Sequence, residues 1–244
     1  MIRTIEELSL NAWASLQTMV YDGWLIRFSN GYTKRANSVN PIYESTEDLD
    51  RKIHYCENIF NTRSLKPVFK ITESVYPETL DKVLEDHGYT AIDHTSVQLL
   101  LLSTLKEPLI HTVKLEERLN DAWLNQFCKL NNQSETNKAI MKQMLSLITP
   151  KTCFVSLYDN DTVVACGLGV LERGYLGIFD IVTDLHYRNR GFGEQLMLNL
   201  LKWGKENGAE YAYLQVMLNN GSALRLYSKL RFQEIYQYWY RVKK

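Results

Sequence analysis

No charge of one sign dominates this 244-residue chain: 28 Lys and Arg balance 28 Asp and Glu, so no global field draws it to nucleic acid or an anionic membrane. Long apolar runs are missing as well. Leu99 to Leu102 is far too short to cross a bilayer, and the opening Met1-Ile2-Arg3-Thr4-Ile5-Glu6-Glu7 places acid where a secretory signal needs an apolar stretch. The four cysteines, Cys56, Cys128, Cys153 and Cys166, have no C-x-x-C spacing, and Cys153 and Cys166 fall in apolar strand-like runs, which argues against disulfides and structural zinc. No cluster with metal-ligand spacing stands out, and neither Cys153 nor Cys166 has an evident His partner for nucleophilic catalysis. What is present, 45% hydrophobic residues, is ample for buried cores. These totals predict a soluble protein of a reducing cytoplasm with no metal and with neither nucleic acid nor membrane as partner.

Hydrophobic periodicity predicts a helix over Ile5 to Tyr21 ended by Gly23, then two antiparallel strands, Trp24 to Phe28 and Tyr32 to Val39, around the turn-forming Asn30-Gly31. Leu49 to Phe60 reads as helix, Pro67 to Thr72 as strand, Pro77 to His87 as helix and Ala91 to Leu102 as a long strand. Helices are next expected over Glu116 to Leu130 and Ser134 to Leu147, and strands over Thr152 to Tyr158 and Thr162 to Leu171. Tyr175 to Thr183 reads as a central strand, Phe192 to Glu206 as a helix, Tyr211 to Met217 as a strand, Ser222 to Leu230 as a helix and Phe232 to Val242 as a last strand. The mixture is α/β, with a mixed sheet of the α+β kind.

Between the strand at Tyr175 and the helix at Phe192 lies Arg188-Asn189-Arg190-Gly191-Phe192-Gly193. Gly191 and Gly193 allow a tight turn and close backbone approach, and the N–H groups opening the following helix point at an anion with no partner of their own. Arg188 and Arg190 add charge where phosphates would sit, and His186 lies in the same loop. Glycine pairs also serve plain strand-to-helix turns, so the loop alone is a weak signal.

Residues 176 to 232 as a whole are more specific. Ile181-Val182-Thr183, the loop, Gly193-Glu194-Gln195-Leu196-Met197, then Asn220, Ala223, Tyr227, Lys229 and Phe232 in order resemble the GCN5-related N-acetyltransferases. One departure is that Arg231 stands where the family usually has Gly. The resemblance implies a splayed sheet in which acetyl-CoA pairs its pantetheine amides with Ile181 and Val182 and lays its pyrophosphate on Arg188, Arg190, Gly191, Phe192, Gly193 and Glu194. It also implies Val182 N–H as the oxyanion donor, Tyr227 as general acid and Asn220 as a cofactor contact, although Asn220 fits a helix cap equally well. Asp180 is the candidate base or ammonium anchor. It is also readable as a polar sheet residue, because alternation leaves open which face meets the amine. Glu172 is a weaker base candidate.

A repeat is visible at an offset of 143: Leu80 to Ile92 falls on Ala223 to Ile235, and Phe69 to Thr72 falls near Leu214 to Met217. This divides the chain into residues 1–105, a degenerate half with neither a glycine pair nor a hydroxyl at Leu84, and residues 106–244, the catalytic half; the competing reading is one continuous mixed domain with an elaborated N-terminus. Arg27, Lys34, Arg35 and Asn37 in the first half suit either contact with an acidic substrate group or a solvated face. Tyr236, Tyr238, Trp239 and Tyr240 suit packing against the other half, against a second subunit in a homodimer, or around an acceptor. The expected activity is acetyl-CoA-dependent transfer to a small-molecule primary amine by direct attack in a ternary complex. The competing readings are an acyl-CoA sensor or scaffold without turnover, and a transferase using another acyl carrier.

Overall fold

The apolar segments are gathered into one twisted sheet of eleven strands in the computed structural model, which describes residues 1–243. In chain order the elements are α1 (Ile2–Ala12), β1 (Gln17–Tyr21), β2 (Trp24–Phe28), β3 (Val39–Pro41), α2 (Leu49–Thr62), β4 (Val68–Thr72), α3 (Leu80–Asp86) and β5 (Tyr89–Leu101). There follow β6 (Val113–Glu116), α4 (Asp121–Leu130), α5 (Glu135–Ser146), β7 (Lys151–Asp159), β8 (Thr162–Glu172), β9 (Tyr175–Thr183), α6 (Phe192–Glu206), β10 (Tyr211–Met217), α7 (Gly221–Lys229) and β11 (Gln233–Lys243). The fold class is the mixed α/β one read from the sequence.

Three expected elements are corrected. The helix over Ile5 to Tyr21 stops at Ala12, after burying Ile5, Leu8 and Ala12, and the remainder becomes β1. The reason is a second hairpin signal: Asp22 and Gly23 both take positive φ, 41° and 80°, and close Tyr21 onto Trp24. The strand after Asn30-Gly31 begins only at Val39. Asn37 is buried and holds the intervening loop, its Oδ1 accepting from the N–H groups of Ser29 (2.7 Å) and Gly31 (2.9 Å) and its Nδ2 donating to Thr33 O (2.8 Å). The helix expected from Glu116 starts at Asp121, because Asn120 caps it through Trp123 N–H (2.9 Å) and Val113–Glu116 pairs with β7 instead.

The sheet order is β1-β2-β3-β4-β11-β5-β10-β9-β8-β7-β6. The last strand of each half is exchanged: β5 lies between β10 and β11, and β11 lies between β4 and β5. Apart from the edge strand β6, which has no counterpart, the order is palindromic once β4 is matched with β10 and β5 with β11, and the registers agree. Thr72 pairs with Tyr238 while Met217 pairs with Thr95, and Thr95 and Tyr238, 143 residues apart, pair with each other. Neither stretch therefore completes its sheet alone. The aromatics of β11 lie within this seam, with Tyr236 Oη donating to buried Glu6 (2.7 Å) and Trp239 Nε1 and the Arg241 guanidinium donating to Asp81 on α3.

On one face of the second half α6 and α7 pack Leu196, Leu200 and Tyr227 with the strand residues Leu176 and Leu214. On the other α1, α4 and α5 pack Leu8, Trp123, Phe127 and Met141 with Leu168 and Phe179. The segment between β5 and β6 is fastened to α6: Gln195 Oε1 accepts from Leu109 N–H (2.7 Å) and Ile110 N–H (3.1 Å), and Asn199 Nδ2 donates to Ile110 O (2.8 Å). All four cysteines are buried free thiols, and burial pushes Cys56, Cys153 and Cys166 up to about 12.

Arg231 has a local explanation. It follows α7 with φ 68°, and Phe232 N–H closes back on Tyr227 O (3.0 Å), the left-handed stop in which glycine is least strained. Arg231→Gly is expected to stabilise the fold by about 0.5–1 kcal/mol, less than the full strain because glycine also loosens the unfolded chain. Thermal unfolding would show this as a rise of about 2 °C.

Candidate active site

Strands β9 and β10 run parallel and hydrogen-bonded only from Tyr175–Ile178 against Tyr211–Leu214. Beyond that point β9 bulges. Phe179 faces Leu168 and Val182 faces Cys166, so Asp180 and Ile181 together oppose the single residue Gly167. A Cβ on Gly167 would lie 2.5 Å from Ile181 Cδ1, so glycine here lets the Ile181 side chain pack onto β8 opposite the bulge. Asp180 takes φ 52°, a conformation Asp tolerates better than most residues, and its carboxyl turns out of the alternation that made its facing ambiguous.

The strands separate into a cleft of about 250 Å³. Its walls include Asp180, Ile181 and Val182 from β9, Asn220 and Tyr227 at α7, and Arg35 from the loop before β3. Asp180 Oδ2 is buried and has no hydrogen-bond partner among the described residues. Burial pushes this carboxyl up to about 6, with the Arg35 charge pulling the other way. Tyr227 is 8% exposed, edge-on to Phe232, and burial holds its phenol up at about 12.

Asn220 caps α7, Oδ1 accepting from Ala223 N–H (3.2 Å), while its amide NH₂ donates to no other described residue. Both of the readings left open by the sequence are therefore compatible with one side chain.

The glycine loop runs from the end of β9 to α6. Gly191 is the N-cap with φ 86°, and the first helical donor is Gln195 N–H to Gly191 O (3.1 Å). The amides of Phe192, Gly193 and Glu194 precede it and have no intrahelical acceptor, and the helix dipole adds to their positive field. A Cβ at Gly193 would press on Thr183 Oγ1 at 3.3 Å, so this glycine lets α6 start against the end of β9. Phe192 is buried and offers only its N–H.

Arg188 is exposed, its Nε donating to Thr183 O (3.3 Å), and Arg190 sits over Tyr187 and Phe192 with Nη2 at 3.8 Å from Asp159. His186 is exposed in the same loop. The Glu194 side chain turns away from the loop to Lys229 and Lys106, which hold its carboxyl below the usual range. Glu172 is also remote from the cleft, at the end of β8 against Asn11 and Arg173.

Of the first-half residues, two fit neither earlier reading. Arg27 is buried and spends its guanidinium on the carbonyls of Leu10, Trp13 and Arg35, and Asn37 holds its loop as described. Lys34 pairs with Asp93 (2.8 Å). Only Arg35 reaches the cleft. The sequence left Arg35 open between contact with an acidic substrate group and a solvated face, since its neighbours across the cleft, Phe127, Asn131 and Gln215, lie far away along the chain.

The fold and cleft can be set beside known proteins. The sequence model of the family described as "Probable histone acetyltransferase Rv0428c C-terminal" matches residues 1–241. The "Uncharacterized N-acetyltransferase YobR" of Bacillus subtilis is 31% identical over 247 residues, covering 100% of this chain and 99% of that protein. Among solved structures, a GCN5-related N-acetyltransferase from Kribbella flavida superposes with TM-score 0.73 at 15% identity, over 99% of this chain and 95% of that one. A tandem protein of this fold from the clavulanic acid biosynthesis pathway superposes with TM-score 0.64 at 11% identity, over 79% and 69%. With a family model spanning nearly the whole chain and a full-length relative above 30% identity, this protein belongs to the GCN5-related N-acetyltransferase family and is an N-acetyltransferase.

Proposed function

We propose that the protein transfers the acetyl group of acetyl-CoA to the primary amine of a small molecule, by direct attack within a ternary complex at the β9/β10 cleft. The observation that carries the reading is the meeting, in one opening of the sheet, of an orphaned carboxylate oxygen and a partnerless phenol, with the unpaired amides of α6 starting against the end of the same strand, β9. Residues 106–244 carry the chemistry, and residues 1–105 form a degenerate half that completes the sheet.

The features on β9 and α6 fit acetyl-CoA. The freed edge of β9 at Ile181 and Val182 offers backbone groups to an extended amide chain, and the amides of Gly191 to Glu194, with Arg188 and Arg190, offer donors and charge to a pyrophosphate. Acetyl-CoA supplies the acetyl thioester. A lysine-like ammonium with pKa near ~10.4 must lose its proton first, a cost of about 4–5 kcal/mol at pH 7. Asp180 anchors that ammonium and accepts the proton. The amine nitrogen then forms the amide bond as the thioester C–S bond breaks. Tyr227 Oη delivers a proton to the departing sulfur and is replenished through solvent by the second proton that the amine nitrogen sheds on becoming an amide, while the proton taken by Asp180 passes to bulk water. The sum is an amide, a free thiol and one proton released.

The family description names histones, but the cleft holds one carboxylate and the chain has no net charge, which gives a strongly basic tail little to bind. The test is release of free CoA thiol from acetyl-CoA with amino acids, polyamines, aminoglycosides and lysine peptides. Turnover of a small amine above the amine-free rate is expected, and turnover of the peptides alone would overturn the acceptor assignment.

The raised Asp180 carboxyl sets a pH dependence. The ionised base is lost as pH falls through about 6, so log(kcat/KM) is expected to drop with unit slope below that pH. Stability moves oppositely. A folded carboxyl titrating above its unfolded value binds more protons in the native state between about pH 4 and 6, so the protein loses stability as pH rises through that window. Asp180→Asn, which tolerates the same positive φ, should abolish the acid limb, lower kcat by about 10²-fold or more, and unfold at a higher temperature than wild type at pH 8 but not at pH 4. Equal unfolding temperatures at both pH values would show that the carboxyl is not desolvated.

A further inference from the structure

Arg35 and Asp180 are the only charged residues lining the cleft among the described residues. Although they carry opposite charges, they do not pair. No ion pair within 4 Å joins them, and neither side chain makes an ion pair or a side-chain hydrogen bond to any other described residue. An arginine with five unused donors and a carboxylate with a buried, unpartnered oxygen, facing one cleft without closing on each other, are complementary to a ligand with both charges.

The position of Arg35 is built rather than incidental. Its carbonyl is held by buried Arg27 (3.0 Å), its guanidinium lies over the ring of Trp13 at 4.7 Å, and Trp13 Nε1 donates to Thr33 Oγ1 (3.2 Å) at the start of the Arg35 turn. Trp13 in turn stacks on Phe179, with centroids 6.1 Å apart, and Phe179 is the residue before Asp180. A continuous packed chain thus fixes the cation relative to the carboxylate. The other groups around the guanidinium, Phe127 and Asn131 from α4 and Gln215 from β10, carry no charge that would neutralise it.

Taking the proposed transfer reaction as its premise, the geometry points to an acceptor that is an amino carboxylate. Its ammonium lies at Asp180 and its carboxylate is gripped by Arg35, as in a free amino acid or a small amine with a nearby carboxylate. Arg35 is the specificity-determining residue, contributed by the half that lost its own glycine loop. A polyamine would place its second ammonium against the guanidinium and is disfavoured. A guanidinium–carboxylate contact in a partly dry cleft is worth about ten- to hundredfold in affinity.

The test compares amino acids with the amines formed by removing their carboxylate, such as lysine with cadaverine and phenylalanine with phenethylamine. Binding is read by the shift in thermal unfolding with and without free CoA, which needs no turnover. Thiol release is read separately with acetyl-CoA. Amino acids are expected to bind at least about tenfold more tightly than their decarboxylated partners. Arg35→Gln should erase the difference by weakening only the carboxylates, and Arg35→Lys should keep most of it. Because the Arg35 side chain makes no hydrogen bond, these variants are expected to fold, and CoA binding by each reports that they do. Equal binding of the two ligand series, or a preference unaltered in Arg35→Gln, overturns the inference. If the preference holds and no thiol is released, Arg35 stands as a carboxylate site and the transfer reading fails.

Discussion

Tyr227→Phe is expected to lower kcat by about 10²- to 10⁴-fold while leaving CoA affinity essentially unchanged. The prediction is sharp because the substitution removes one atom and little packing. The Tyr227 ring is held in the α6/α7 core with its edge toward Phe232 at 6.0 Å, and phenylalanine keeps both contacts. The hydroxyl has no hydrogen-bond partner among the described residues, so no structural network is broken by its loss. Burial keeps the phenol protonated across the neutral range, the state a general acid must hold. Steady-state kinetics and calorimetric titration with CoA separate the two effects. A variant with wild-type kcat would show that water protonates the leaving sulfur and that Tyr227 is a core residue only. A variant weakened in CoA affinity but not in kcat would give the hydroxyl a binding role.

Gly191→Glu should weaken acetyl-CoA binding by about 10²-fold or more. A carboxylate about 5 Å from a phosphate costs roughly 3 kcal/mol at an effective dielectric of 20, and it meets the amides that would hold the phosphate. Strain adds about 1–2 kcal/mol to the fold, since φ 86° is a conformation only glycine adopts freely. Crowding adds nothing, because a Cβ at Gly191 has no atom within 4 Å. Gly191→Asn separates the effects: asparagine tolerates positive φ and brings no charge, so it should retain most of the affinity. Undiminished acetyl-CoA binding by the folded Glu variant would falsify the placement of the pyrophosphate at α6.

Much of the second half was legible along the chain because its signals are local. The edges of α6 and β10 coincide with the periodicity, since Gly191 and Gly208 bracket the one and a short, almost wholly apolar run forms the other. The N-terminal hairpin was misread for an equally local reason: Asp22-Gly23 competes with an apolar spacing that continues by chance from α1 into β1. Arg231, an exception to the family pattern, became intelligible only through its φ.

By itself the sequence determined the family, the glycine loop and the repeat, all of which depend on residue types at fixed separations within one or two elements. Which carboxylate oxygen lies buried in the cleft was decided by the bulge opposite Gly167, because strand alternation cannot assign a facing where two residues share one position. The exchange of β5 and β11 was likewise invisible in either half, since it rests on pairing between residues more than a hundred positions apart. That exchange knits the halves into one sheet, and the Trp13–Phe179 stack bridges them to set Arg35 across from Asp180, two charges 145 residues apart in the chain. No local pattern encodes such a meeting; only the tertiary structure brings the second charge to the site.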